Sequence, residues 1–141
     1  MQIVIVDTNV LVAGLITANA QSPTVRIVDG MLRGDVVFLL SPELLREYRS
    51  VLMRPKLVEF HGLADHEVDQ LLTELAANAL WREPPARSAA PDPNDSHLWA
   101  LLDAEPSAKL VTGDRLLLAR PHSSARVIQP ADYLALGPLQ T

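Results

Sequence analysis

The sequence predicts an α/β protein with a mostly parallel sheet, and three observations carry the prediction. Short apolar or β-branched runs at 2–6 (QIVIV), 36–40 (VVFLL) and 109–111 (KLV) have strand character, with 79–82 and 126–128 (RVI) as weaker candidates. Helical patterns lie between them, at about 9–18, 23–33, 42–53, 65–78 and 93–104. Acids follow two of the strands, Asp7 after QIVIV and Asp114 after KLV. Open α/β sheets place their ligand crevice there, beyond the carboxyl ends of the strands.

Each element has a local reason. QIVIV is too short for a helix and reads as a buried strand. Ser41 and Pro42 are suited to the cap and first residue of the helix at 42–53, and Glu43 then falls in the first turn, where the helix dipole favours an acid. RPK at 54–56 ends that helix, because Pro55 disfavours helical geometry at Arg54. The stretch 84–91 (PPARSAAP) is a loop between elements. Asp92 and Pro93 suit the cap and first residue of the helix at 93–104. Gly113 is expected to permit the sharp turn of TGD, 112–114, before a short helix from Arg115.

Composition narrows the function classes. A chain of 141 residues, 48% hydrophobic, suits a single domain, 1–141, around one core. No apolar run reaches the ~18 residues of a membrane span, so no membrane partner is expected. The N-terminus lacks a basic lead-in, and Asp7 interrupts its apolar stretch, so it does not read as a signal peptide. The absence of cysteine excludes disulfides and thiolate metal sites and fits a cytoplasmic protein. A formal net charge of −5 is opposite to that of a non-specific nucleic-acid binder, so phosphate must be handled by a local site or by metal ions.

The acids differ in what a structural role explains. Asp7 or Thr8 serves equally as the cap of the helix that follows, and Asp114 as the cap of the helix from Arg115. Asp95 has Leu98, Trp99 and Leu102 three, four and seven residues beyond it, so it is expected in line with an apolar stripe. In SPELLREYRSVL the stripe is Leu44, Leu45, Tyr48, Val51 and Leu52. Glu47 falls about 40° off its edge, which places it at the rim of a buried site, and Glu43 falls further out. If Asp7, Glu47, Asp95 and Asp114 converge, each like-charge pair ~4 Å apart repels by ~4 kcal/mol at an effective dielectric of ~20. Protonation or a divalent cation must then relieve the cluster, and hard carboxylate oxygens suit Mg²⁺ or Mn²⁺. The four histidines, His61, His66, His97 and His122, show no ligand spacing and read as surface residues.

The blocks VIVDTNVLV, SPELLREYRSVLMRPK, DPNDSHLWALL and LVTGDRLLL, in that order, resemble the PIN-domain family. More closely they resemble the toxin-type, VapC-like PIN ribonucleases of bacterial type II toxin–antitoxin pairs. The resemblance covers about 2–118. It implies a three-layer α/β/α fold with a five-stranded sheet in the order 3-2-1-4-5. It implies that Asp7, Glu47, Asp95 and Asp114 are catalytic and hold one or two Mg²⁺ or Mn²⁺ ions. Thr8 or Asn9, and Thr112, would supply hydrogen bonds, with Asp92 as an accessory acid. Relatives often carry a further acid two residues after TGD, where this chain has Leu116.

The function implied is a metal-dependent endoribonuclease leaving 5′-phosphate and 3′-hydroxyl ends. Its expected partners are RNA, an antitoxin protein and a second copy of itself. The alternative is a non-catalytic PIN-like module that binds RNA or protein and uses the acids only as caps. Strand-end-aspartate phosphoryl transfer fits less well, because the second acid of such sites is replaced by Asn9. Arg46, Arg49, Arg54, Lys56 and Arg115 are the cations placed near the motifs.

Overall fold

Ile3–Val6 forms the first strand, β1, and becomes the middle of the sheet. The computed structural model describes residues 2–84, 96–119 and 126–136. Strands β2 (Val37–Leu40), β3 (Leu80–Trp81), β4 (Lys109–Val111) and β5 (Val127–Ile128) complete a five-stranded sheet in the order β3-β2-β1-β4-β5, every pairing parallel. This is the expected PIN-like order. Consecutive residues of a strand point to opposite faces. Val4, Ile5 and Val6 are nevertheless all fully buried, so both faces of the sheet are covered. That is why the central strands read as unbroken apolar runs rather than alternating ones. The edge strands β3 and β5 are two residues each, and Leu80 and Trp81 stay partly exposed. Short edges of this kind limit unwanted pairing.

The helices are α1 (Thr8–Ile16), α2 (Pro23–Arg33), α3 (Pro42–Leu52), α4 (Pro55–His61), α5 (Asp65–Asn78), α6 (Ser96–Ala104), α7 (Arg115–Ala119) and α8 (Pro130–Ala135). Ser41 caps α3 as expected, its Oγ accepting from the Leu44 N–H at 3.0 Å. Arg54 takes the extended conformation that Pro55 imposes (φ −61°, ψ 131°), but the chain starts a new helix at once, with Pro55 at its first turn. The same residue that ends α3 therefore opens α4, which the sequence pattern did not announce. Proline has no N–H to lose there, and its φ already suits a helix. Helix α8 likewise opens on a proline, Pro130.

Packing accounts for a glycine inside α1. A Cβ on Gly14 would lie 2.4 Å from Val28 Cγ2 and 2.6 Å from the Thr24 carbonyl oxygen, so α1 and α2 approach too closely for any side chain there. Gly113 does not have the role expected of it. Only Gly34 and Gly62 have positive φ among the described residues, so the TGD turn uses backbone angles open to any residue.

Helix α6 is buried from His97 through Leu102. Leu98, Trp99 and Leu102 are inside as expected, but so are the residues between them, and a helix apolar all round has no single inward stripe. Asp92 and Asp95, and the predicted start of this helix, lie outside the described residues. No helix among the described residues is long and apolar enough to cross a membrane.

Candidate active site

Strands β1 and β4 are neighbours, with Val6 opposite Val111. Asp7 and Thr112 therefore leave the sheet side by side at its carboxyl edge. The chain winds through β2 and β3 on one side of β1 and through β4 and β5 on the other. This is the switch point at which open α/β sheets bind ligands. The Asp7 N–H donates to the Val111 carbonyl at 3.0 Å, which ties the end of β1 to β4.

Three donors converge on the Asp7 carboxylate. The Thr8 N–H donates to Oδ1 at 2.8 Å. The Thr112 hydroxyl and the Asn9 amide donate to Oδ2 at 2.8 and 3.0 Å. Asp7 is thus also the cap of α1, and Val10 and Leu11 donate to its carbonyl. The Thr112 side chain is fully buried. Its oxygen also accepts from Asn9 Nδ2 at 3.2 Å and from the Asp114 N–H at 3.0 Å. Asn9 Oδ1 accepts from the Gly113 N–H at 2.9 Å, so its amide is locked in one orientation. Burial raises the Asp7 pKa above its ordinary 3.8; the Thr112 and Thr8 donors oppose this, and the charges of Glu47 and Asp114 reinforce it.

Glu47 stands half-buried on α3, at the rim where the helical wheel puts it. Each of its oxygens has a partner. The Thr8 hydroxyl donates to Oε2, and His97 Nε2 lies 3.3 Å from Oε1. Burial pushes the Glu47 pKa up, but the hydrogen bonds from His97 and Thr8, with the positive charges of His97 and Arg54, hold it below the ordinary 4.5. The next residue, Tyr48, is fully buried and donates its hydroxyl to the Val6 carbonyl, anchoring α3 to the end of β1.

Asp114 Oδ1 accepts from the Leu116 N–H at 2.8 Å, at the start of α7. Leu116 is 42% exposed, at the position where an additional acid was looked for. Asp7, Glu47 and Asp114 share one open cleft of about 490 Å³, which Val12, Ile16 and Val51 also line. Thr8 and Asn9 also line it. Of the cations, Arg49 is engaged with Asp69 at 2.8 Å between α3 and α5, whereas the charge of Arg54 reaches Glu47.

His97 was not anticipated. It is 7% exposed rather than a surface residue. Its signal was the one ring nitrogen pair inside the apolar run HLWALL.

The donor chemistry of the cleft fits a divalent hard cation. All three acids offer carboxylate oxygen, the Glu47 and Asp114 charges already disfavour ionisation of Asp7, and no cysteine exists to favour a softer metal. Among the described residues no three acids or histidines stand close enough to enclose an ion by themselves. Their arrangement is an open set of carboxylates around a cleft.

The α/β domain thus presents a strand-end aspartate held by three donors, in a cleft that two more carboxylates line. The family model of the PIN domain matches residues 3–116, most of the chain, and the chain belongs to that family, whose members are generally nucleases. No curated protein matches it.

Proposed function

We propose that the protein is a divalent-metal-dependent endoribonuclease and the toxin of a toxin–antitoxin pair. The observation that carries the nuclease reading is the cleft shared by Asp7, Glu47 and Asp114, with the Asp7 carboxylate fixed at the switch point by Thr8, Asn9 and Thr112. Asp7, Glu47 and Asp114, with Asp95, would hold one or two Mg²⁺ or Mn²⁺ ions, and Asp92 is assigned as an accessory acid. Such an ion, when bound, supplies the positive charge that makes water a nucleophile and stabilises the phosphate and the leaving oxygen.

The residues of the chain set the geometry of that reaction. Thr112 and Asn9 fix the Asp7 carboxylate, and Thr8 fixes Glu47 beside it. Arg54, whose charge already acts on Glu47, is placed to meet a backbone phosphate. Val12, Ile16 and Val51, which line the same cleft, would give an unpaired base an apolar surface. Water adds at phosphorus, the bond to the 3′ oxygen breaks, and that oxygen takes up a proton. The products carry a 5′-phosphate and a 3′-hydroxyl. The antitoxin and the homodimer belong to the same reading and follow from the order of the sequence blocks, whereas the single domain follows from chain length and composition and the cytoplasmic location from the lack of cysteine.

The test is calorimetric titration of Mn²⁺ into the wild type and Asp114→Asn, followed by cleavage of single-stranded RNA with and without chelator. Saturable binding, and cleavage abolished by chelator, are expected in the wild type alone. A wild type that neither binds Mn²⁺ nor cleaves leaves a PIN-like binding module instead.

A further inference from the structure

We propose that His97 is a positioning residue for the nuclease site: with Thr8, it clamps the Glu47 carboxylate beside Asp7. The inference rests on the nuclease reading above. It starts from a residue whose type packing does not explain. The neighbours of His97 on α6 are Leu98, Trp99, Leu101 and Leu102, all buried. An apolar residue would fill the same space without the cost of burying an imidazole. What the imidazole adds is a donor: Nε2 lies 3.3 Å from Glu47 Oε1, so Nε2 carries the hydrogen.

Glu47 needs such a donor. A glutamate on a helix surface has many rotamers, and holding it in one costs side-chain entropy. The Thr8 hydroxyl binds one oxygen and His97 the other, so the carboxylate is held at both ends. Thr8 follows Asp7 in the chain, and α6 packs against β1, β4 and α3 together. The clamp therefore joins α1, α3 and α6 at the carboxylate that shares the cleft with Asp7. Residues that orient ligating carboxylates from behind typically alter affinity or activity by about 10–100-fold when removed.

The experiment compares His97→Gln, His97→Asn and His97→Leu. Glutamine carries its amide nitrogen as many bonds from the backbone as imidazole Nε2, whereas asparagine is one methylene shorter. Each variant is measured for thermal stability, for Mn²⁺ affinity by calorimetry well below its melting temperature, and for RNA cleavage. Leucine and asparagine are expected to weaken Mn²⁺ binding by about 10-fold or more, and glutamine by less than about threefold. In a Glu47→Gln background, His97→Leu should cost nothing further, because its effect passes through Glu47. If His97→Leu does not fold, the glutamine–asparagine contrast decides. Equal affinities for all variants, or losses that simply follow melting temperature, overturn the positioning role. A wild type without Mn²⁺ binding or cleavage overturns the nuclease reading itself, whereas a wild type that binds alongside an unaffected His97→Leu overturns only this inference.

Discussion

Replacing Thr112 with valine removes one oxygen from the centre of the site and leaves its shape. Valine is isosteric with threonine, so the change opens no cavity, and with the side chain fully buried no water takes the place of the lost oxygen. Three hydrogen bonds disappear: the donation to Asp7 Oδ2 at 2.8 Å and the acceptances from Asn9 Nδ2 at 3.2 Å and the Asp114 N–H at 3.0 Å. The bond to a carboxylate is worth about 1.5–3 kcal/mol and a neutral one about 1 kcal/mol. Asn9 is exposed and recovers its bond from water. The expected loss is therefore about 2.5–4 kcal/mol. Unfolding entropy of about 2.1 cal/mol/K per residue over this chain converts it to a fall in Tm of roughly 8–14 °C.

The loss should depend on pH in a defined direction. The folded Asp7 pKa is raised above 3.8, chiefly by burial, and the Thr112 hydroxyl is the largest force opposing that rise. A raised folded pKa means that this group's contribution is fully present below 3.8 and lost as pH rises through the folded value. Valine raises the folded value further and so deepens the loss at neutral pH. Scanning calorimetry in chelator-containing buffer should show the gap to wild type widest near pH 7 and narrowing towards the ordinary value of 3.8. A gap below ~3 °C at pH 7, about 1 kcal/mol on the same conversion, or one independent of pH, would refute the idea that Thr112 supports an ionised Asp7.

Gly14→Ala should destabilise by about 1–3 kcal/mol in chemical denaturation, the opposite of the usual gain from replacing a helical glycine, because the new Cβ meets Val28 and the Thr24 carbonyl. Asp114→Asn should leave the melting temperature within about 2 °C of wild type, since asparagine caps as well as aspartate, while Mn²⁺ binding and RNA cleavage are lost. Ser41→Ala removes the cap on Leu44 N–H and should cost about 1 kcal/mol in denaturant titration without changing Mn²⁺ affinity.

The sheet was legible in the sequence because its physics is local. Strands buried on both faces must read as short apolar runs, and IVIV and VFLL do. Two-residue edge strands carry little pattern, yet Leu80–Trp81 and Val127–Ile128 fall within the weak candidates. Helix α4 was hidden because Pro55 signals an ending and a beginning with the same residue. The Glu47 rim position followed from the angular spacing of Leu44, Leu45, Tyr48, Val51 and Leu52, of which Leu44, Tyr48 and Leu52 are buried and the other two half-buried. His97 was not legible, since its partner lies 50 residues away and only the fold brings α6 to α3.

Helix cap and site residue, the two readings the sequence offers for both Asp7 and Asp114, are compatible in this geometry. Asp7 Oδ1 caps the first N–H of α1, and that bond fixes the carboxylate plane so that Oδ2 meets Thr112 and Asn9. The cap is how the site is oriented. For this reason Asp7→Asn is a poor discriminator, although a simple cap would tolerate it. Three donors converge on Asp7, and an amide must turn its own NH₂ towards either Thr8 N–H or the pair on Oδ2. Thr112 Oγ1 already accepts two hydrogen bonds and has no room for another donor. The substitution relieves a buried charge and adds a donor conflict at once, so its effect on stability mixes two opposed terms. Asp114 makes one side-chain hydrogen bond within its own turn, to the Leu116 N–H, and asparagine reproduces it. Removing the Asp114 charge while keeping its cap is therefore the cleaner separation of chemistry from folding in this cleft.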